Sequence, residues 1–446
     1  MSSVLPFDII DLIIDIVGEN EDTNLLKKLA LVSHSLLHIS SKHLFATVEL
    51  HDAIPKHHVA SSKKGFVKLL KSRPDVVRYI RKLKYKIEYN HLQLESSLAH
   101  PNFNNDDHLL SPILPNFLQT IPRLNCLTIT AAQLDWKQLN SSLTSAFLHL
   151  MHLPTINHID LSYIQSFPLS SLTPSVNLLR LDIFHLRCFN PLQEDRSSEI
   201  VVQSDVMPKI REFHTSESSL LTTMLLNAKR QDGQPAYSFT DVRRLSVSSF
   251  WFEDEWNNRY LLQNARLLEE LHLSVGPDQS SVGLHNNLSP CARTLKVLAL
   301  TVSLNSVPPL LAGHYCILEA LFLEVQVDGD EAEDFIGSIM QKVEEVLVGP
   351  GWSALRQVSF KISIACCLVP TEYSAKLSEA LQSIPDKYLN HLPKLESVAF
   401  NFSARVVKCS LNSNYRLVEF FPTLCRRGEW SAIRTESQWC SHTCCH

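Results

Sequence analysis

The chain is 446 residues long, 45% hydrophobic and 20% charged, which is the composition of a folded protein rather than a disordered one. Its net charge of −5 gives no electrostatic case for nucleic acid or a membrane surface, and 11 glycines are few for loops that cradle phosphates. At this length one ordinary core does not suffice, so several domains or an extended repeat array are expected.

The N-terminus lacks a basic region, and its apolar run is cut by Asp every three or four residues, which argues against a signal peptide. No stretch approaches the roughly 18 uninterrupted apolar residues of a membrane span. The 11 cysteines are odd in number and follow no framework spacing, so reduced thiols in cytoplasm or nucleus are expected.

"LPFDIIDLIIDIV" (Leu5 to Val17) predicts a helix from Asp8 to Val17. Asp8, Asp11 and Asp15 form one narrow polar stripe, expected to be its solvated side, and the rest of the surface is Ile, Leu or Val. A polar turn follows, from Gly18 to Asn24. Then "LLKKLALVSHSLLHISSKHLF" is helical in period, with Leu25, Leu29, Val32 and Leu36 at three- and four-residue steps. "ATVEL" closes the segment as a short strand or extended exit. Three short helices bury little surface alone. Either the remaining chain or a second protein must cover their surplus apolar faces.

This segment resembles an F-box. "LPFDIIDLIIDIV" fits the L-P-x-[ED]-[IL]-x-x-x-[IL] opening, "LALVSHSL" the L-x-x-V-[CS]-x-x-W segment, and "HLFATVEL" the L-[WF]-x-x-[VL]-x-L exit, in that order over residues 4 to 50. Similar N-termini occur in fungal F-box proteins. Two residues depart from the pattern: His34 replaces the common Arg or Lys, and Leu36 the usual Trp. The resemblance implies docking on a Skp-type adaptor and through it a cullin–RING (SCF-type) ubiquitin ligase. By position, Leu5, Pro6, Ile9, Ile10, Ile13, Val32 and Leu36 would carry that contact.

From Val77 onward one pattern recurs: apolar, two variable, apolar, one variable, apolar. It reads "IRKLKYKI" at Ile80, "LNCLTI" at Leu124, "INHIDL" at Ile156, "LLRLDI" at Leu178 and "IREFHT" at Ile210. It continues as "VRRLSV" at Val242, "LEELHL" at Leu268, "LKVLAL" at Leu295, "LEALFL" at Leu318, "LRQVSF" at Leu355 and "LESVAF" at Leu395. This is the leucine-rich-repeat signature, one inward-facing strand per repeat stacked into a parallel sheet. Spacings between central residues run from 22 (Ile159 to Leu181) to 44 (Leu83 to Leu127), so an irregular, curved α/β solenoid is expected. The alternative is the successive βα units of a doubly wound sheet. The expected organisation is an F-box-like module over 1–50, a connection over 51–75, the repeat solenoid over 76–425 and a tail over 426–446.

The residues following each central apolar residue should line the concave face: Thr128, Asp160, Asp182, His214, Ser246, His272, Ala299, Phe322, Ser359 and Ala399. Two positions on come Thr130, Ser162, Phe184, Ser216, Ser248, Ser274, Thr301, Glu324, Lys361 and Asn401. From these lines Asp160, Asp182, Phe184, His214, His272, Phe322 and Glu324 are the candidates for holding a protein target.

Other clusters carry less. "WCSHTCCH" (Trp439 to His446) is rich in thiols and imidazoles, but Cys444, Cys445 and His446 are adjacent and cannot converge on one zinc ion without strain. "RYIRKLKYKI" (Arg78 to Ile87) puts basic residues on one strand face, expected to be solvated. Asn140, Asn287 and Asn401 head glycosylation triplets without consequence in the cytoplasm. No catalytic residue, metal or cofactor is expected, because the phosphate-loop, nucleophile-elbow and zinc-helix motifs are missing. The expected function is that of a non-catalytic, cytoplasmic or nuclear substrate receptor. The alternative is a repeat scaffold whose N-terminal helices only cap the solenoid.

Overall fold

The computed structural model describes residues 6–20, 22–53, 62–88, 113–172, 175–186, 201–202, 207–249, 254–275, 288–303, 307–311, 315–328, 333–366, 379, 381, 383–389, 391–392 and 397–408. Leu5, Asn287, and the tail with its Cys/His cluster lie outside the described residues. The chain is α/β and divides into two compact units, Met1–Val242 and Arg243–His446.

The first unit opens with three helices: α1 (Phe7–Glu19), α2 (Thr23–Ala30) and α3 (His34–Leu44). The local chemistry sets their starts. Asp22 and Ser33 accept the backbone N–H of Leu25 and Leu36 at 3.0 and 3.2 Å, as N-cap side chains do. Pro6, which needs no amide partner, precedes α1, and its carbonyl accepts from Ile9 and Ile10. Ile14, Leu26 and Ile39 form the core of this module, and Ile10, Val17, Leu29, Leu36 and Leu44 pack against it half-buried.

The strands of the first unit are β1 (Thr47–Ala53), β2 (Lys82–Glu88), β3 (Cys126–Asp135), β4 (His158–Gln165), β5 (Arg180–Phe184), β6 (Val201–Val202), β7 (Glu212–Ser216) and β8 (Lys229–Arg230). Six of them form a parallel sheet in chain order, β1-β2-β3-β4-β5-β7, while β6 and β8 pair separately. The second unit holds β9 (Arg244–Ser249), β10 (Glu270–Val275), β11 (Val297–Ser303), β12 (Ala320–Asp328), β13 (Gln357–Cys366) and β14 (Ala399–Lys408), again parallel and in chain order. Among the described strands neither unit shows the reversal of order that defines a doubly wound sheet.

The register follows the sequence pattern. Leu83, Leu127, Ile159, Leu181 and Phe213 stand side by side, as do Leu245, Leu271, Leu298, Leu321 and Val358 in the second unit. All of these are buried. A second feature repeats with them. The carbonyl of the second pattern residue accepts two successive amides at the start of the next strand. Arg81, Asn125, Asn157 and Leu179 do this in the first unit, and Arg243, Glu269, Lys296 and Glu319 in the second. The strand entries that follow these residues are thus all hydrogen-bonded in the same way to the one before.

The last strand departs from expectation. Val358 pairs with Phe400 and Ser359 with Asn401, so the repeat at β14 is centred on Phe400 and not on Val398. Asn401 takes the place expected for Ala399, and Ser403 the place expected for Asn401. A slip of two keeps every side chain on its face, so alternation alone does not reveal it.

Apolar faces are closed by helices and loops. Tyr85 of β2 meets Phe147 of the helix Ser141–Met151 edge-on at 5.1 Å, and Trp136 meets Phe167 at 4.9 Å. In the second unit the helix Glu333–Leu347 buries Ile336, Ile339, Met340, Val343 and Leu347, one stripe of helical period. Its Glu344 is buried too and accepts the amides of His391 and Leu392 at 2.6 and 2.9 Å.

Candidate functional site

Two surfaces present chemistry: the outer side of the three-helix module and the polar face of the first unit's sheet. On α1, at about 100° per residue, Ile10, Ile14 and Val17 share the direction of the module core. Ile9, Leu12, Ile13 and Ile16 share another direction, about 120° round the helix from the first and within an arc roughly 100° wide. All four are between 43% and 56% exposed. Phe7 is exposed as well, and at the corner between α2 and α3 Leu31 and Val32 stand 88% and 70% exposed.

The aspartate stripe is more than a wet flank. Lys42 of α3 reaches Asp11 at 2.9 Å and Asp15 at 2.6 Å, and His43 Nε2 lies 2.6 Å from Asp15. The hydrogen bond from Lys42, then that from His43, holds the Asp15 carboxyl below its usual range. Gly18 permits this approach, since a Cβ there would fall inside the His43 ring. Asp11 and Asp15 of α1 are thus engaged with α3 while an aliphatic arc faces water.

Of the residues assigned to adaptor contact by position, Pro6, Ile9, Ile13 and Val32 are exposed. Ile10 and Leu36 turn inward and pack on the Ile14–Leu26–Ile39 core. Leu12, Ile16 and Leu31 lie outside the motif positions, although the helical period of "DIIDLIIDI" places Leu12 and Ile16 beside Ile9 and Ile13.

On the sheet, the lines between the buried ones read Glu49, Lys84, Thr128, Asp160, Asp182, His214 and, two positions on, His51, Lys86, Thr130, Ser162, Phe184, Ser216. Asp182 is buried and ties the cluster together. Arg180 donates to both its oxygens at 3.0 to 3.1 Å, and His158 Nε2 lies 2.8 Å from Oδ2. Burial alone would raise this carboxyl, but hydrogen bonds from His158 and Arg180 bring it below its usual value. His158 Nδ1 is 3.1 Å from the Cys126 sulfur. Burial opposes the charged imidazole, yet hydrogen bonds to Asp182 and Cys126 push its pKa up to about 9.

A Cys–His–Asp row invites a nucleophilic reading. The hydrogen bonds along this row link β3, β4 and β5 and favour the charged imidazole of His158. Asp160 differs from Asp182: burial and the neighbouring Asp182 charge raise its pKa to about 6, and Ser162 donates a hydrogen bond to it at 3.1 Å.

One residue beyond the second line, Tyr163, His185 and Glu217 all have left-handed backbones, with φ of 59°, 50° and 47°. Tyr163 stacks on His185 at 4.5 Å, and His185 Nδ1 lies 2.8 Å from Glu217. No glycine marks these positions, so the sequence carries no signal for them.

In the second unit His272 is exposed and 2.8 Å from Glu270, Phe322 is half-buried, and Glu324 pairs with Lys361 at 2.9 Å. Among the described residues no group of three His, Cys, Asp or Glu side chains is placed to hold a metal ion. Among them no helix is long and apolar enough to cross a membrane. The chain matches no protein-family model, and no curated protein matches it.

Proposed function

We propose that this protein is a non-catalytic substrate receptor of an SCF-type cullin–RING ubiquitin ligase. The N-terminal helices are an F-box-like module that docks a Skp-type adaptor, and the strands form an irregular leucine-rich-repeat solenoid that holds a protein target. The observation that carries this reading is the aliphatic arc of Ile9, Leu12, Ile13 and Ile16, turned away from the module's own core. It lies in the segment whose motifs resemble an F-box. Each of these side chains would contribute on the order of 1.5–3 kcal/mol if a partner buried it, before association costs.

The solenoid is supported by the chain-order parallel strands and by the carbonyl that accepts two amides at successive strand entries. The mechanism is proximity: a target held beside the transfer machinery presents its lysines at high effective concentration. Such a receptor acts in the cytoplasm or nucleus, where ubiquitin transfer takes place. A plain scaffold with a capping N-terminus is less well supported, because a cap needs a polar outer face and this one is aliphatic.

The test is co-purification with a Skp-type adaptor, comparing wild type with the Ile9→Asp, Ile13→Asp double variant. Wild type should retain the adaptor, and the double variant should lose at least about tenfold in affinity, some 1.4 kcal/mol. Failure of folded wild type to bind the adaptor would overturn the reading.

A further inference from the structure

On the polar face of the first unit several charges have partners on their own strand or on a neighbouring one. Asp182 is held by Arg180 and His158, Glu212 by Arg180, and Glu49 by His51. Among the described residues Lys84 on β2 and Asp160 on β4 make no ion pair. They stand in one cross-strand line, with Thr128 of β3 between them. Lys82, one position earlier on the same face of β2, adds a second cation beside Lys84. The two opposite charges are two strands apart, about 10 Å between backbones. That is too far for them to neutralise each other and within the span of a short peptide.

We infer that this face binds an extended segment of a protein target carrying one acidic and one basic side chain two to four residues apart, the acid on Lys84 and the base on Asp160. The inference rests on the reading that the sheet face holds the target. Thr128 is small enough to let the connecting backbone approach, and its hydroxyl offers a hydrogen bond. Along an extended chain each residue advances about 3.3 Å, so side chains two to four residues apart span the gap with the reach of Glu and Lys or Arg. Around Asp160 the charged groups are His158, Arg180 and Asp182. His158 and Arg180 are committed to Asp182, so a cation from the target would be the direct counter-charge of Asp160.

The experiment is selection of a displayed library of random linear peptides on the full-length protein, with the Asp160→Asn, Lys84→Gln and Lys84→Glu/Asp160→Lys variants in parallel. Wild type should co-enrich an acidic and a basic residue at the stated spacing. Asp160→Asn should lose only the basic preference, Lys84→Gln should lose only the acidic one, and the charge swap should reverse their order. Enrichment of one charge alone would mean a plain ionic patch and overturn the proposal. No enrichment, or a preference unchanged in the variants, would also overturn it. Adaptor co-purification run on the same preparations reports on the helical module only, so failure of one reading is distinguishable from failure of the other.

Discussion

The ammonium of Lys42 on α3 lies 2.6 Å from the carboxylate of Asp15 on α1. This pair orients the first helix, because it draws the aspartate flank towards α3 and leaves Ile9, Leu12, Ile13 and Ile16 outside. Both partners are more than a third exposed, so the pair is worth no more than about 1 kcal/mol. Replacing Lys42 by Met should therefore cost at most that amount at neutral pH. The Asp15 carboxyl is depressed, so its contribution is present above the ordinary carboxylate pKa and lost as pH falls through its folded value. Urea denaturation of wild type and variant should converge as pH falls below the ordinary carboxylate range.

Gly18 and His43 form the tightest point of the module. Gly18→Ala should destabilise by about 1–3 kcal/mol, since the added methyl overlaps the imidazole. A His43→Ala change in the same chain should recover most of that loss. Thermal denaturation of the two single variants and the double variant measures the coupling directly.

The outer arc and the inner stripe of α1 should respond in opposite ways. Ile14→Ala should cost about 2–5 kcal/mol, because it empties a core position. Ile9→Asp with Ile13→Asp should leave stability within about 0.5 kcal/mol per site, because those side chains already face water. A large loss of stability in the double variant would mean that the arc is covered within the chain.

Two carboxylates on one sheet face should show opposite signs. Asp182→Asn removes a buried charge from Arg180 and His158 and should cost about 3–5 kcal/mol at neutral pH. Asp160 is raised to about 6, so its ionisation opposes folding. Its favourable contribution is complete below the unfolded pKa of about 3.9 and lost as pH rises through 6. Asp160→Asn should therefore stabilise the protein at about pH 7.5 and change little below about pH 4. Chemical denaturation at the two pH values reads both effects.

His158 sets the alkaline limit. Its pKa is raised to about 9, so the stability it contributes is present below about 6.5 and is lost as pH rises through 9. The wild type should lose stability between about pH 7 and 10 more steeply than His158→Gln, as measured by denaturation across that range.

Much of the strand pattern could be read from the residues alone. Leu127, Ile159, Leu181 and their counterparts alternate with polar positions, and burial of one sheet face makes that alternation mandatory. Register in the last strand could not be read. Val398, Phe400 and Phe402 alternate equally well, and only pairing against Val358 and Phe360 selects Phe400 as the centre. A pattern of period two is indifferent to a shift of two.

The sequence by itself determined the apolar periodicity, the helix caps and the surplus of aliphatic surface on "LPFDIIDLIIDIV", because these depend on residue type and local spacing. Only the tertiary structure decided which aliphatic side of α1 faces the core, which aspartates are engaged, and that Lys84 and Asp160 stand without an ion pair among the described residues. Lys42 is 31 residues from Asp11, and His158 is 24 residues from Asp182. Electrostatics depends on distance in space, and no local spacing rule reaches that far.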